Sequence, residues 1–70
     1  MDIREKTRLI IRRNNEYLVG RIVFSRDLRW SIYPWDAWWT RSREAAQRIA
    51  RETGGTVMLF NPVAGQLRVL

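Results

Sequence analysis

Indole rings and guanidinium groups are the side chains of this sequence that could do chemistry, and they concentrate in one stretch. Residues 28–43, LRWSIYPWDAWWTRSR, contain all four tryptophans of the chain together with Arg29, Arg41 and Arg43. Flat rings stack on nucleic-acid bases, and arginine presents a planar fork of donors that matches phosphate. The number of rings exceeds what a small core requires. We therefore expect a ligand, a nucleic acid or a second copy of the chain to cover part of this stretch.

The charge balance predicts an anionic partner. The chain has 13 basic and 7 acidic residues, for a net charge of +6, and all but one of the basic residues are arginine. It has no histidine and no cysteine, which removes the commonest general base, the thiolate nucleophile and the usual zinc ligands. The carboxylates are scattered, and the glycines form no phosphate loop of a known type. We predict that the protein is not an enzyme and holds no metal or cofactor.

The length of 70 residues predicts one domain spanning residues 1–70. A domain this small buries only about 60% of its unfolded surface, so it is marginally stable without help. Because disulfides and zinc are excluded, homo-oligomerisation is the expected way to bury more. No apolar run approaches the roughly 20 residues that span a bilayer, and the N-terminus lacks the apolar core of a signal peptide. We expect no membrane contact and a cytoplasmic location, in the host cell if the protein is viral.

Alternation of apolar and polar residues predicts a three-stranded meander in the first half. Residues 7–13 and 17–25 flank Asn14-Asn15, a pair suited to a two-residue hairpin turn. That turn sets Ile11 opposite Leu18, Leu9 opposite Gly20 and Thr7 opposite Ile22. A three-residue loop at residues 25–27 then sets Phe24 against Leu28, Ile22 against Trp30 and Gly20 against Ile32. The predicted core face consists of Leu9, Ile11, Leu18, Ile22, Phe24, Leu28, Trp30 and Ile32. The predicted open face consists of Arg8, Ile10, Arg12, Tyr17, Val19, Arg21, Val23, Arg29 and Tyr33.

The second half predicts a loop, one helix and a final hairpin. Pro34 ends the third strand, and residues 35–41 form a loop with room for one helical turn capped by Asp36. Ser42 is the expected N-cap of a helix over residues 43–53, which Gly54-Gly55 terminates. Its apolar stripe is Ala45, Ala46, Ile49, Ala50 and Thr53. Strands over residues 56–61 and 66–70 then pair Asn61 with Gln66. The predicted fold is α+β, β-β-β-α-β-β, an antiparallel sheet with one helix packed on one face.

The predicted ligand site combines the loop tryptophans with nearby arginines. Arg41 and Arg43 flank the helix N-terminus, where free backbone N–H groups favour an anion. Arg29 and Arg21 are expected on the open sheet face nearby. Trp30 is in phase with the core, whereas the three tryptophans of the loop cannot all be buried in so small a domain. Asn61 and Gln66 fit a turn-capping role better than base recognition. The predicted ligand-binding residues are Trp35, Trp38, Trp39, Arg41, Arg43, Arg29, Arg21 and Tyr33.

From Tyr17 onward, the sequence resembles a group of very small proteins encoded by phages and prophages of gut bacteria. The resemblance spans most of the chain, and it rests on Tyr17-Leu18-Val19-Gly20, Leu28-Arg29-Trp30-Ser31, Pro34-x-Asp36-Ala37-Trp38-x-Thr40-Arg41, Gly54-Gly55 and Met58-Leu59-Phe60-Asn61-Pro62-Val63-x-Gly65-Gln66-Leu67. Small phage proteins of this kind resemble counter-defence factors, some of which sequester nucleotide signals of bacterial immunity while others block CRISPR nucleases. The resemblance implies a host-directed viral role and assigns no function to any residue.

Three functional hypotheses are compatible with these observations. The first, which we favour, is a phage-encoded counter-defence protein, an oligomeric sponge that binds and sequesters a phosphate-bearing cyclic nucleotide immune signal. The second is a basic nucleic-acid-binding protein that tracks a strand along the open sheet face, with binding that weakens as salt rises. The third is a protein-protein inhibitor of a bacterial defence nuclease that uses the tryptophan loop as an anchor.

Overall fold

A computed structural model describes residues 7–21 and 27–70, and its elements follow the predicted order. The strands are β1 (Arg8–Arg13), β2 (Glu16–Arg21), β3 (Leu28–Ser31), β4 (Thr56–Asn61) and β5 (Gln66–Val69). One 3₁₀ turn, Pro34–Asp36, and one α-helix, α1 (Arg43–Thr53), lie between β3 and β4. The strands form one antiparallel sheet in the order β3-β2-β1-β4-β5. The α+β prediction is confirmed.

The β1–β2 hairpin closes where the asparagine pair predicted it. Asn14 and Asn15 have φ angles of 51° and 65°, the left-handed conformation that a two-residue type I′ turn requires. The pairs Arg13↔Glu16 and Arg12↔Tyr17 follow, in the register that sets Ile11 next to Leu18. The hairpin register close to the turn is therefore confirmed.

Further from the turn, β1 and β2 separate, and residues 38–40 lie between them. Leu9 and Thr40 exchange two backbone hydrogen bonds, of 2.9 and 3.0 Å, and the backbone N–H of Trp38 donates to the Leu18 carbonyl at 2.8 Å. The predicted pairing of Leu9 with Gly20 is therefore wrong. The chain crosses from one face of the sheet to the other through this gap, because Ala37 packs on one side and Trp38 on the other.

The pairing of β2 with β3 also differs from the prediction. Leu18 lies opposite Trp30, and after a register shift Gly20 lies opposite Arg29 rather than Ile32. The shift occurs at Gly20, whose φ of 155° is rare for residues with a side chain. Ile32 lies beyond the end of β3 and is 65% exposed, so its predicted place in the core is wrong. The predicted contacts of Thr7, Leu28 and Trp30 with Ile22 or Phe24 fall outside the described residues, as does the position of Val23.

Helix α1 begins and ends as predicted. The Ser42 hydroxyl accepts from the Ala45 backbone N–H at 3.1 Å, and Gly54 has the left-handed φ of 72° that follows many helices. Ala46 and Ala50 are buried against the sheet, and their small side chains allow the helix to approach it closely. Asp36 caps nothing at the 3₁₀ turn, contrary to prediction: its carboxylate accepts from the Ser31 hydroxyl at 2.9 Å.

The two faces of the sheet carry separate buried clusters. The helical face, covered by α1, consists of Leu9, Ile11, Leu18 and Val57, and the half-buried Leu28, Trp30 and Trp38 pack against it. The loop face consists of Ile10, Tyr17, Met58 and Phe60, and residues 35–37 cover it. The prediction that this second face is open is wrong for Ile10 and Tyr17, which are buried. They are buried because the loop covers this face before the chain passes through the gap between β1 and β2.

The final hairpin has the predicted register, with Asn61 opposite Gln66 and Phe60 opposite Leu67. The Asn61 Oδ1 accepts from the backbone N–H groups of Val63 and Ala64 at 3.0 and 3.2 Å, so its turn-capping role is confirmed. Gly65 closes this turn with a φ of 70°. Within the described residues, no helix is long and apolar enough to cross a membrane.

Candidate anion-binding site

A basic concavity lies beside the N-terminus of α1. Its volume is about 510 Å³, within the range of small-molecule sites. Arg41 precedes the helix, Arg43 is its first residue, and Arg68 lies on β5, so two separate segments contribute arginines to the lining. None of the described residues that line the cavity is an aspartate or a glutamate. The charged side chains of the lining are therefore all positive.

The helix N-terminus is held in place beside this cavity by two short-range hydrogen bonds. The Thr40 hydroxyl accepts from the Ser42 backbone N–H at 3.0 Å, and the Ser42 hydroxyl accepts from that of Ala45. Because Thr40 is also bonded to Leu9 in β1, the helix start is fixed to the sheet through a single residue. Glu44 lies in the first turn but does not line the cavity. The dipole of α1 adds a positive potential at this end.

The remaining lining combines an apolar floor with a polar rim. Leu9, Leu59 and Leu70 supply the apolar surface, and Asn61 and Gln66 supply amide groups at the mouth of the β4–β5 hairpin. The Asn61 Oδ1 already accepts two hydrogen bonds within its own turn, whereas Gln66 is exposed. Charged groups above an apolar floor suit an amphipathic anion, one that carries both phosphate and a flat or aliphatic part.

Trp39 connects this cavity to a fourth arginine. The guanidinium carbon of Arg8 lies 4.6 Å from the Trp39 ring centroid, and that of Arg41 lies 5.5 Å from it. Both distances are within the range of cation–π attraction. The ring is 41% exposed. Trp39 thus sits beside the cavity and orients two cationic groups, one of which lines it.

The other predicted site residues lie elsewhere in the fold. Trp35 is 56% exposed on the loop face, and Trp38 is half-buried against the helical face. Arg29 and the 59% exposed Tyr33 lie in or beyond edge strand β3, separated from the cavity by β2. The Arg21 backbone pairs with Leu28, and its side chain lies outside the described part of the chain. The structure brings together Arg41 and Arg43, with Trp39 beside Arg41, and does not bring Trp35, Trp38, Arg29 or Tyr33 into the cavity.

Sequence reasoning missed Arg8 and Arg68 as members of this region. A signal for Arg68 was present, because pairing Asn61 with Gln66 also sets Arg68 opposite Leu59, on the helical face. Arg8 carried no such signal, since its neighbour Trp39 reaches it only through the gap between β1 and β2. Among the residues that the structure describes, no cluster of acidic side chains could hold a metal ion.

The fold is that of a small α+β protein, and a concavity lined by three arginines lies beside the N-terminus of its helix. Comparison with protein-family models, with curated proteins and with solved structures finds no match.

Proposed function

We propose that this protein binds a phosphate-bearing nucleotide in the basic cavity and sequesters it. The observation that carries this proposal is that Arg41 and Arg43, at the start of α1, and Arg68, on β5, line one cavity that has no aspartate or glutamate in its lining. Converging guanidinium groups offer several charge-assisted hydrogen bonds to phosphate oxygens, which are about twice as strong as neutral ones. The apolar floor gives the remainder of a nucleotide a surface to contact.

Sequestration requires affinity and no reacting group, which agrees with a site made of guanidinium, amide and aliphatic groups. A cyclic nucleotide signal of bacterial immunity is a ligand of this class, and its removal by a phage-encoded protein is the biological role we propose. Homo-oligomerisation and a location in the host cytoplasm belong to this proposal and stay predictions. Two copies of the chain would double the number of sites without altering the cavity described here.

The test is calorimetric titration of the protein with cyclic dinucleotides, cyclic ADP-ribose isomers and inorganic phosphate. The site variant is Arg41→Ala/Arg43→Ala, and its matched control is Arg48→Ala/Arg51→Ala on α1. All four side chains are exposed, and both variants lower the net charge by two. The control residues do not line the cavity. A difference between the variants therefore reports on position and not on total charge.

We expect the site variant to lose about 100-fold in affinity. A hydrogen bond to a charged group contributes about 1.5 to 3 kcal/mol, and exposure at the rim reduces the pair to about 3 kcal/mol together. The control should change the Kd by less than about threefold at 0.15 M salt, where distant charges are screened. Equal losses in both variants would show that binding is non-specific. Absence of nucleotide binding by the unmodified protein would refute the proposed function.

A further inference from the structure

A second group of side chains begins at Arg41, which lines the cavity, and extends onto the loop face. We name Trp35, Arg8, Trp39 and Arg41 the tryptophan–arginine surface. Trp35 packs edge-on against Phe60, with ring centroids 5.1 Å apart, and Phe60 lies opposite Arg8 on the neighbouring strand. Arg8 in turn contacts Trp39, which contacts Arg41 at the cavity. Trp35 and Arg8 therefore lie beside Phe60 on the same face of the sheet, and Trp39 links Arg8 to Arg41.

Trp35 is held rigidly at the far end of the tryptophan–arginine surface although more than half of its own area is exposed. Its indole N–H donates to the Pro62 carbonyl at 3.1 Å. The turn at Gly65 packs close to the six-membered part of the ring, since a Cβ there would lie 3.8 Å from the Trp35 Cζ2. Phe60, almost fully buried, supports the ring from below. A fixed and exposed ring loses little conformational entropy when a flat ligand stacks on it.

We infer that the ligand contains at least two phosphodiester-linked nucleotides with unpaired bases. One phosphate would occupy the cavity between Arg41, Arg43 and Arg68, while Arg8 would meet the next phosphate and the exposed part of Trp35 would stack a base. A single nucleotide needs only the cavity, whereas a longer ligand would also contact Arg8 and Trp35. Bases in a duplex are already stacked on each other, which leaves an indole platform without a partner. The inference rests on the proposed anion site and specifies what that site recognises.

Ligand length is the variable that tests this inference. Thymidine 5′-phosphate, linear dithymidylate, hexathymidylate, a cyclic dinucleotide and a 12-base-pair duplex would be titrated by calorimetry. We expect the better of the linear and cyclic oligonucleotides to bind about 5- to 150-fold more tightly than the mononucleotide, the effect of one stacked base. Tighter binding of the cyclic form identifies a signalling nucleotide, and tighter binding of hexathymidylate identifies the single strand. Equal affinity for mononucleotide and all oligonucleotides, or preference for the duplex, would overturn the inference.

The salt dependence of the association constants provides a second test in the same titrations. If Arg8 acts together with the three arginines of the cavity, the logarithm of the hexathymidylate association constant should fall with the logarithm of salt at a slope near about −3. Occupation of the cavity alone by the mononucleotide gives a smaller slope. Identical slopes for the two ligands would exclude Arg8 from the site.

Substitution at Trp35 locates the stacked base. Trp35→Leu keeps an apolar cover over Phe60 but removes the ring, whereas Trp35→Phe keeps a ring and removes the indole donor. We expect the leucine variant to lose about 5- to 150-fold in oligonucleotide affinity and the phenylalanine variant to lose less than about fivefold. Neither should alter mononucleotide binding, because Trp35 does not line the cavity. Mononucleotide binding with no effect of either variant on oligonucleotides would refute the longer site while leaving the proposed function intact.

Discussion

The substitution Thr40→Pro tests the backbone hydrogen bonds that fix the start of α1, and with it the cavity, to the sheet. The Thr40 backbone N–H donates to the Leu9 carbonyl at 3.0 Å, and proline has no such donor. Leu9 is buried, so its carbonyl would be left without this partner at a cost of about 1 to 3 kcal/mol. For a domain of this size, that loss lowers Tm by about 5 to 20 °C. The carbonyl of residue 40 would also be displaced from the Leu9 N–H.

Thr40→Val is the matched control, because it keeps both backbone hydrogen bonds to Leu9. It removes only the hydroxyl that accepts from the Ser42 N–H, a loss of about 0.5 to 1.5 kcal/mol. Thermal unfolding followed by circular dichroism measures the stability of each variant, and amide hydrogen exchange by NMR measures the Leu9 N–H directly. We expect slow exchange of this amide in the unmodified and valine proteins, and faster exchange in the proline variant.

The proline and valine variants should also differ in their nucleotide affinity. Arg41 and the start of α1 follow Thr40 immediately, so release of residue 40 from β1 should weaken nucleotide binding in the proline variant only. A proline variant that melts within about 1 °C of the unmodified protein, with the Leu9 amide still protected, would refute the insertion of residues 38–40 between β1 and β2.

Two further substitutions test the local geometry. Gly55→Ala would place a Cβ 2.5 Å from the Ile11 Cγ2 and 3.1 Å from the Arg12 carbonyl oxygen, so we expect a loss of about 1 to 3 kcal/mol in urea unfolding. A stability equal to that of the unmodified protein would contradict the close contact of this turn with β1. Ser42→Ala removes the acceptor of the Ala45 N–H and should cost about 1 kcal/mol in the same assay, with lower helicity; no change would mean that the cap contributes nothing.

Features set by short-range chemistry could be predicted from the sequence. The Asn14-Asn15 turn requires left-handed backbone, which asparagine tolerates, and both residues adopt it. Ser42 and Gly54 delimit α1 because each satisfies backbone groups within a few residues of itself. The Asn61↔Gln66 register follows from one four-residue turn. In each case the residues that determine the structure are close together in the chain.

The gap between β1 and β2 could not be predicted because it results from competition between distant segments. Alternation alone continues the hairpin ladder, in which Leu9 would pair with Gly20. In the structure Leu9 instead pairs with Thr40, which is 31 residues further along the chain. Its backbone amide and carbonyl could hydrogen-bond with either partner, and packing of Ala37 and Trp38 on opposite faces favours the second. The local alternation of apolar and polar residues does not indicate which of these two partners Leu9 takes.

The same distinction between local and long-range determinants applies to the candidate site. Arg41 and Arg43 were predicted from their position beside a helix N-terminus, which is local information. Trp35 and Trp38 were predicted to join them because both precede Arg41 in the same loop. That loop crosses the sheet, so Trp35 and Trp38 lie on opposite faces, and Trp38 does not reach the cavity. Spacing in the sequence could not reveal on which face each ring lies.

The most direct test of the central claim is a two-dimensional ¹H–¹⁵N NMR titration of the protein with a cyclic dinucleotide. We predict that the largest shifts occur at the backbone amides of Arg43 and Arg68 and at the indole N–H of Trp39, all at or beside the cavity. Amides near Arg48 and Arg51, on the exposed side of α1, should shift little. Shifts spread evenly over all basic residues, or confined to the outer face of α1, would contradict a defined anion site beside the helix N-terminus.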